Sequence, residues 1–182
     1  MRRFATYALG IALAATGPVA AQGTVPEAFR RTAELYDLPD DRILYAIAMA
    51  ESGRAVDGAV EPWPWTLNVA GKGYYYPDQA AAWEAIGTFI AEGHTSIDVG
   101  LMQVNYRWHQ ADMVDPYTAL DPDVNIALAA RILAEELAAV GDLEAAVGRY
   151  HSPGPSEAQQ ARAERYRKRV VAFRARLDGS AP

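Results

Sequence analysis

The chain has 182 residues, with 17 basic and 23 acidic side chains and a formal net charge of −6. This acidity argues against nucleic acid or an anionic membrane surface as the main partner. The absence of cysteine excludes disulfides, thiol chemistry and Cys-based metal sites. The three histidines lack metal-ligand spacing, so we expect no metal and no other cofactor.

Residues 1–21 have the pattern of a secretory signal peptide. Arg2 and Arg3 precede an apolar run that is too short to span a bilayer, and small residues lead up to Ala21. We predict cleavage after about Ala21, a periplasmic protein, and a single domain over residues 22–182. Loss of the two arginines would leave 15 basic against 23 acidic residues, a net charge of −8. An uncleaved membrane anchor is the competing interpretation.

The first two predicted helices cover residues 26–36 and the segment that follows Asp40 and Asp41. Either aspartate can cap the second helix. Gly53 lies just past its end, where a left-handed residue usually stops a helix.

Glu51 continues the apolar stripe of that second helix. Ile43, Leu44 and Ile47 form one inward face, and Glu51 follows Ile47 by one turn. Burial and the helix dipole both oppose the ionised carboxylate, so we expect a raised pKa, as a general acid needs. The alternative is an exposed glutamate on a helix end that frays early.

An aromatic hairpin is predicted after the second helix. The β-prone runs at residues 66–69 and 74–76 flank a glycine-containing turn. Rings on such a hairpin, Trp63 and Tyr75 among them, offer flat faces that suit sugar rings. The alternative, that the rings simply pack the hairpin onto the helices, is favoured for Trp65.

Helices dominate the rest of the chain. We predict one from Pro77, in its first turn, to about Glu92, with Trp83, Ile86, Phe89 and Ile90 inward. Further helices are predicted over residues 124–140, 143–149 and 161–177. The last is a basic helix whose outer face is an ordinary solvated surface or, alternatively, a contact for an anionic partner.

The segment from Gly100 to Asn105 combines a tight glycine with two amides. Gln103 and Asn105 stand among apolar and aromatic residues, where amides must be hydrogen-bonded. Their partners are either the backbone or a ligand.

Four segments then carry a family resemblance: Ala50-Glu51-Ser52, Gly100-Leu101-Met102-Gln103-Val104-Asn105, Asp121-Pro122-x-x-Asn125 and Ala146-x-x-x-Tyr150. In this order, over roughly residues 28 to 155, the chain resembles the soluble lytic transglycosylase (SLT) family. The resemblance implies a mainly α (α+β), goose-type lysozyme-like domain with one small β-hairpin near residues 65–76. The aromatic insert looks like a subgroup of small exported members, some of which accompany secretion, conjugation or pilus machinery.

The resemblance also implies roles for single residues. Glu51 would be the catalytic acid/base, and Met102 and Gln103 would line the groove beside it. Tyr150 matches the tyrosine of the family's A-Y-N motif, whose hydroxyl lies near the catalytic carboxyl, although His151 stands where the family has Asn. The substrate-binding candidates are Ser52, Met102, Gln103, Asn105, Tyr150 and Tyr75.

The implied reaction is cleavage of the MurNAc-β-1,4-GlcNAc bond of peptidoglycan with formation of a 1,6-anhydro ring, which needs one catalytic carboxyl. A lysozyme-type muramidase, which is a hydrolase, would need a second carboxylate, for which Asp98 is the candidate. A non-catalytic glycan-binding component of an envelope-spanning machine would keep the aromatic groove but tolerate loss of Glu51.

Overall fold

A computed structural model describes residues 24–56, 59–113 and 115–177; the predicted signal peptide lies outside them. The predicted fold class is confirmed, because the described residues form a mainly α domain with small antiparallel sheets. The helices are α1 (Glu27–Leu35), α2 (Ile43–Ser52), α3 (Gln79–Ala91), α4 (Tyr106–His109), α5 (Pro122–Val140), α6 (Leu143–His151) and α7 (Glu157–Leu177), with a 3-10 turn at Thr118–Leu120.

Short strands form two antiparallel sheets within the described ranges. The smaller sheet is a hairpin of two strands directly after α2. The larger sheet has the strand order β4-β3-β5-β6. The strands are β1 (Gly53–Val56), β2 (Ala59–Pro62), β3 (Thr66–Val69), β4 (Lys72–Tyr75), β5 (Ile97–Val99) and β6 (Val104–Asn105).

The predicted hairpin is present as β3 and β4. Thr66 lies opposite Tyr75, and Ala70 and Gly71 both have positive φ, 52° and 82°. Two such residues form the turn whose twist matches a hairpin. The first hairpin, β1 with β2, is not evident from the sequence. Its second strand ends at Pro62 and shows no alternation of polar and apolar residues.

Both ends of α2 differ from the prediction. Arg42 occupies the cap position and provides no side-chain cap, while Asp40 accepts a hydrogen bond from the Arg42 N–H at 3.0 Å. Gly53 is not left-handed, since its φ is −58°. Glycine is needed here because a Cβ would lie 2.3 Å from the carbonyl oxygen of Met49. The chain therefore leaves α2 packed against the last turn of the helix.

α3 also departs from the prediction at two points. Asp78 caps the helix through its carboxylate, so Pro77 precedes the helix instead of lying in its first turn. Ile86 is fully buried as predicted, but Trp83 and Ile90 are 40% and 44% exposed. α3 packs against β3 and the 3-10 turn, and this contact covers a narrower stripe than the apolar pattern suggests.

The predicted boundary between α5 and α6 is confirmed. Asp121 caps α5 by accepting hydrogen bonds from two backbone N–H groups. Gly141 ends this helix with a left-handed φ of 73°. Asp142 caps α6 by accepting from the N–H of Ala145 at 2.8 Å.

α2 is the central helix and contacts α1, α5 and α7. α7 begins earlier than predicted, at Glu157, and packs across α2 and α6. It buries Tyr166 and Val170, and its Arg174 pairs with the buried carboxylate of Asp40 before α2. The basic helix is therefore part of the core. Of the helices described, none is both long enough and apolar enough to span a membrane.

Candidate active site

Glu51 lies in the last turn of α2 and is partly buried, so the alternative of an exposed glutamate does not hold. Burial raises its pKa from 4.5 to about 7. The Tyr166 hydroxyl and the positive charge of Arg169 lower this pKa, and the charge of Asp98 raises it further. A carboxyl with a pKa near neutrality can both donate and accept a proton.

Ser52 fixes the end of α2 to the loop after β5. Its side chain has no exposed surface, and its hydroxyl donates a hydrogen bond to the carbonyl oxygen of Leu101 at 2.7 Å. Because the hydroxyl is closed off from a ligand, its contribution is to hold Glu51 beside that loop and not to contact substrate.

One buried amide holds the loop after β5. Asn125, at the start of α5, donates to the carbonyl oxygens of Val99 and Ala119 at 3.0 and 2.9 Å and accepts from the Met102 N–H at 2.8 Å. Gly100 has a φ of 81°, and a Cβ there would lie 2.5 Å from the Asn125 side chain. The tight position predicted at Gly100 is therefore confirmed.

The two predicted amides have protein partners. Gln103 has a left-handed φ of 51°, and its Nε2 donates to the carbonyl oxygens of Gly100 at 2.7 Å and Thr66 at 3.1 Å. Asn105 caps α4 and donates to the Asp98 carboxylate at 2.6 Å. Both side chains are partly exposed, and their contact with substrate stays a prediction.

Tyr150 joins α6 to the same loop. Its hydroxyl donates to the carbonyl oxygen of Met102 at 2.8 Å. Burial and the charges of Glu51 and Asp98 hold the pKa of Tyr150 well above its usual range, so the hydroxyl stays neutral. The Met102 side chain is fully buried; its backbone, and not its side chain, takes part in the site.

Tyr166 is a site residue that the sequence does not identify. Its hydroxyl is buried and makes no hydrogen bond within 3.5 Å to any described residue. It nevertheless interacts with the Glu51 carboxylate and lowers the pKa of that group. Burial, followed by the charge of Glu51, raises the pKa of Tyr166 itself well above its usual range. A neutral hydroxyl is thus placed where it acts on the carboxyl.

Rings from α6 and a cation from α7 surround Tyr166. The His151 ring stacks on it, with centroids 4.5 Å apart and planes 5° apart, and the Tyr150 ring lies 6.5 Å away. The Arg169 guanidinium is 5.3 Å from the Tyr166 centroid. Burial and the charges of Arg169 and Arg162 lower the pKa of His151, which favours a neutral imidazole in this stack.

The aromatic hairpin borders the loop on the other side. Tyr75 is 48% exposed and lies opposite Thr66, whose carbonyl accepts the hydrogen bond from Gln103. Trp65 packs against the core, in line with the packing interpretation, and meets Trp63 edge to face at 5.9 Å. Tyr75 is therefore the more accessible ring for a ligand.

Asp98 lies in β5 between two other strands. Its carboxylate accepts the hydrogen bond from Asn105, and burial raises its pKa. It lines a cleft of about 340 Å³ together with Asn68, Ala70, Gly71, Gly93, His94, Thr95 and Ser96.

A larger depression of about 550 Å³ lies among charged side chains of α1, the 38–42 turn and Arg174, and its lining includes none of the site residues. Size therefore does not identify the site in this chain. The site is defined by the carboxyl of Glu51 and the neutral hydroxyls that surround it.

Comparison with known proteins is consistent with this geometry. The family model described as the transglycosylase SLT domain matches residues 28–172. The match includes Glu51 and both tyrosines, and it extends beyond the segment that carries the sequence resemblance. No significant match was found among curated proteins or solved structures.

Proposed function

The chain belongs to the transglycosylase SLT domain family, and from this premise we propose that it is a lytic transglycosylase that cleaves the MurNAc-β-1,4-GlcNAc bond of peptidoglycan. Family membership supports peptidoglycan as the substrate class. The observation that carries the finer proposal is the Glu51 carboxyl, partly buried, with a pKa near 7 and two neutral tyrosine hydroxyls nearby.

In the first half of the proposed reaction, protonated Glu51 donates its proton to the glycosidic oxygen. The bond between that oxygen and the muramoyl C1 breaks, and an oxocarbenium-like centre develops at C1. The carboxylate left on Glu51 is stabilised by the Tyr166 hydroxyl and the charge of Arg169, the two neighbours that lower its pKa.

In the second half, the Glu51 carboxylate takes the proton of the muramoyl C6 hydroxyl. The C6 oxygen bonds to C1 and closes the 1,6-anhydro ring, so Glu51 is protonated again and no water is consumed. Because the substrate supplies the nucleophile, no second catalytic carboxylate is required. The residues proposed to contact the sugars are Gln103, Asn105, Tyr75 and Tyr150.

Asp98 provides the basis for a rival reaction. Its charge acts on Glu51, as that of a second glycosidase carboxylate would, and a hydrolase would use it to activate water. Its hydrogen bond to Asn105 favours a structural role.

Digestion of purified peptidoglycan distinguishes these functions. We expect Glu51→Gln to lower the cleavage rate by about 100-fold or more and Asp98→Asn to keep most of the activity at its own optimal pH. Mass spectrometry of the wild-type products should show 1,6-anhydro ends. Reducing ends, heavier by one water, would establish a hydrolase, and an unchanged phenotype of Glu51→Gln in cells would favour a glycan-binding component.

The substrate also bears on location. We propose that the chain is exported to the periplasm, where peptidoglycan lies, with cleavage after about Ala21. Secretion, conjugation or pilus machinery is the partner class that the subgroup resemblance suggests. N-terminal sequencing of the mature protein tests the cleavage position.

A further inference from the structure

Arg54 is a cation held between aromatic rings close to the catalytic helix. It lies on β1, three residues after Glu51, which places the two Cα atoms within about 11 Å. Its guanidinium is 4.4 Å from the Trp63 ring centroid and 5.4 Å from that of Tyr75. Stacking on rings fixes the plane of a guanidinium and leaves its N–H edge available.

That N–H edge has no acidic partner among residues 24–56, 59–113 and 115–177. Glu61 is opposite Arg54 in the β1–β2 pair, yet no described carboxylate lies within 4.0 Å of the guanidinium. No hydrogen bond of the Arg54 side chain to a described residue is formed either. A partly buried arginine whose donors are unused by the described residues is placed to bind a planar anion.

Hydrogen bonds tie the rings around Arg54 to the active site. The Trp63 N–H donates to the carbonyl oxygen of Ser52 at 3.2 Å, and the Trp63 indole donates to that of Tyr76 at 2.7 Å. The Thr66 hydroxyl donates to the carbonyl of Trp63 at 2.7 Å. The cradle of Arg54 is therefore held both by the end of α2 and by the strands that border Gln103.

We propose that Arg54 binds a carboxylate carried by the lactyl arm of N-acetylmuramic acid. The N-acetylated sugar rings themselves carry no charge, so the arm is where an anion occurs in the glycan strand. The carboxylate belongs either to the peptide attached to the arm or, in strands without peptide, to the arm itself. This inference rests on the proposed function and adds to it a residue that recognises the negative charge carried by muramic acid.

Binding of glycan strands to a variant expected not to cleave them tests this proposal. In the Glu51→Gln background, calorimetry compares Arg54→Gln with the unchanged Arg54 on three soluble strands. The first carries peptides, the second is freed of peptides by an amidase, and the third carries peptides whose carboxylates have been amidated. We expect about tenfold weaker binding for one or both charged strands and no change for the amidated strand.

The pattern identifies the source of the carboxylate. A loss on peptide-bearing strands alone assigns the peptide carboxylate, whereas a loss on peptide-free strands alone assigns the lactyl carboxylate. Equal losses on all three strands, or no loss on any, overturn the proposal.

Two further variants control for stacking and folding. Arg54→Lys keeps the charge but loses the planar edge, so it should recover only part of the affinity. Arg176→Gln removes another arginine that stacks on a ring, 5.4 Å from Phe173, and should bind all strands normally. Thermal unfolding of Arg54→Gln should match that of the parent.

The wild-type digest separates this inference from the proposed function. If the wild type forms 1,6-anhydro products and Arg54→Gln binds normally, only the inference fails. If Arg54 selects charged strands and no anhydro product forms, only the transglycosylase proposal fails.

Discussion

At the scale of single residues, neighbours from separate segments set the protonation of Glu51. Its own burial raises the pKa most, and Asp98 on β5 adds to this. Tyr166 and Arg169, both on α7, act in the opposite direction. The balance near neutral pH suits the proposed reaction, in which Glu51 acts first as acid and then as base.

These opposing neighbours predict opposite shifts of the pH–rate profile. Tyr166→Phe removes a donor that stabilises the Glu51 carboxylate, so the pKa of Glu51 rises and the alkaline limb of kcat/KM moves to higher pH. Asp98→Asn removes a negative charge, so the limb moves to lower pH. Initial rates on soluble strands from about pH 5 to about pH 9 measure both shifts.

Arg162→Gln is the control for these profiles, since the charge of Arg162 acts on His151. Shifts of the same sign in Tyr166→Phe and Asp98→Asn would contradict the assigned effects on Glu51.

The raised pKa of Glu51 also predicts how stability depends on pH. The folded protein binds the Glu51 proton more tightly than the unfolded chain, so this contribution is fully present below about pH 4.5. It is lost as the pH rises through about 7, at a cost on the order of 3 kcal/mol. Glu51→Gln should therefore unfold at a higher temperature than wild type at about pH 8 and at a similar temperature at about pH 5.

Glu135→Gln, on the exposed side of α5, serves as the control for this pH dependence. An unfolding temperature of Glu51→Gln that differs from wild type equally at both pH values would rule out a buried, titrating Glu51.

At the scale of elements, Asn125 joins α5 to the strand and loop that precede Gln103. Asn125→Ala removes three buried hydrogen bonds, those to the Met102 N–H and to the carbonyl oxygens of Val99 and Ala119. We expect a loss of about 3 kcal/mol in the free energy of unfolding, measured with urea. Asn68→Ala, at a partly exposed turn amide, should cost less than about 1 kcal/mol; similar losses in both variants would refute the special role of Asn125.

Helix boundaries were largely predictable because they depend on local chemistry. Asp121 and Asp142 cap helices through their own side chains, and Gly141 needs a left-handed conformation, so their effects are visible within a few residues. At Gly53 the prediction of a left-handed residue was wrong: the backbone has a φ of −58° and passes close to the carbonyl oxygen of Met49. A glycine after a helix fits either geometry, so the sequence does not distinguish them.

The proximity of most candidate site residues was predictable to a similar degree, whereas their roles stay predictions. Glu51, Gln103, Asn105 and Tyr150 stand in motifs with a fixed order, and the structure places them around one loop. Tyr166 follows no such spacing: on the apolar face of α7 it reads as core, and only the packing of α7 across α2 reveals its hydroxyl beside Glu51. Contacts between distant segments are what the sequence pattern does not contain.

At the scale of the whole molecule, α7 closes the domain. Arg174 pairs with the buried Asp40 across 134 positions of the chain. Asp40→Asn keeps an acceptor for the Arg42 N–H but removes the charge that faces Arg174, so we expect about 2 kcal/mol lower stability in urea. Lys168→Gln breaks an exposed pair with Glu164 and should change stability by less than about 0.5 kcal/mol. Equal losses of stability in the two variants would show that the packing of α7 onto the domain does not depend on the pair of Arg174 with Asp40.

The packing of α7 across α2 also bears on the stage of folding at which the candidate site is completed. The bonds that shape the site join positions 49 and 48 residues apart, from Ser52 to Leu101 and from Tyr150 to Met102, and Tyr166 lies farther still along the chain. Bringing together positions so far apart in the chain costs conformational entropy before the contacts that offset this cost have formed. Such contacts therefore form late in folding. Under the proposed function, a refolding chain should therefore regain its helices before it can cut a glycan strand, and a chain in which α7 has not yet packed should be inactive.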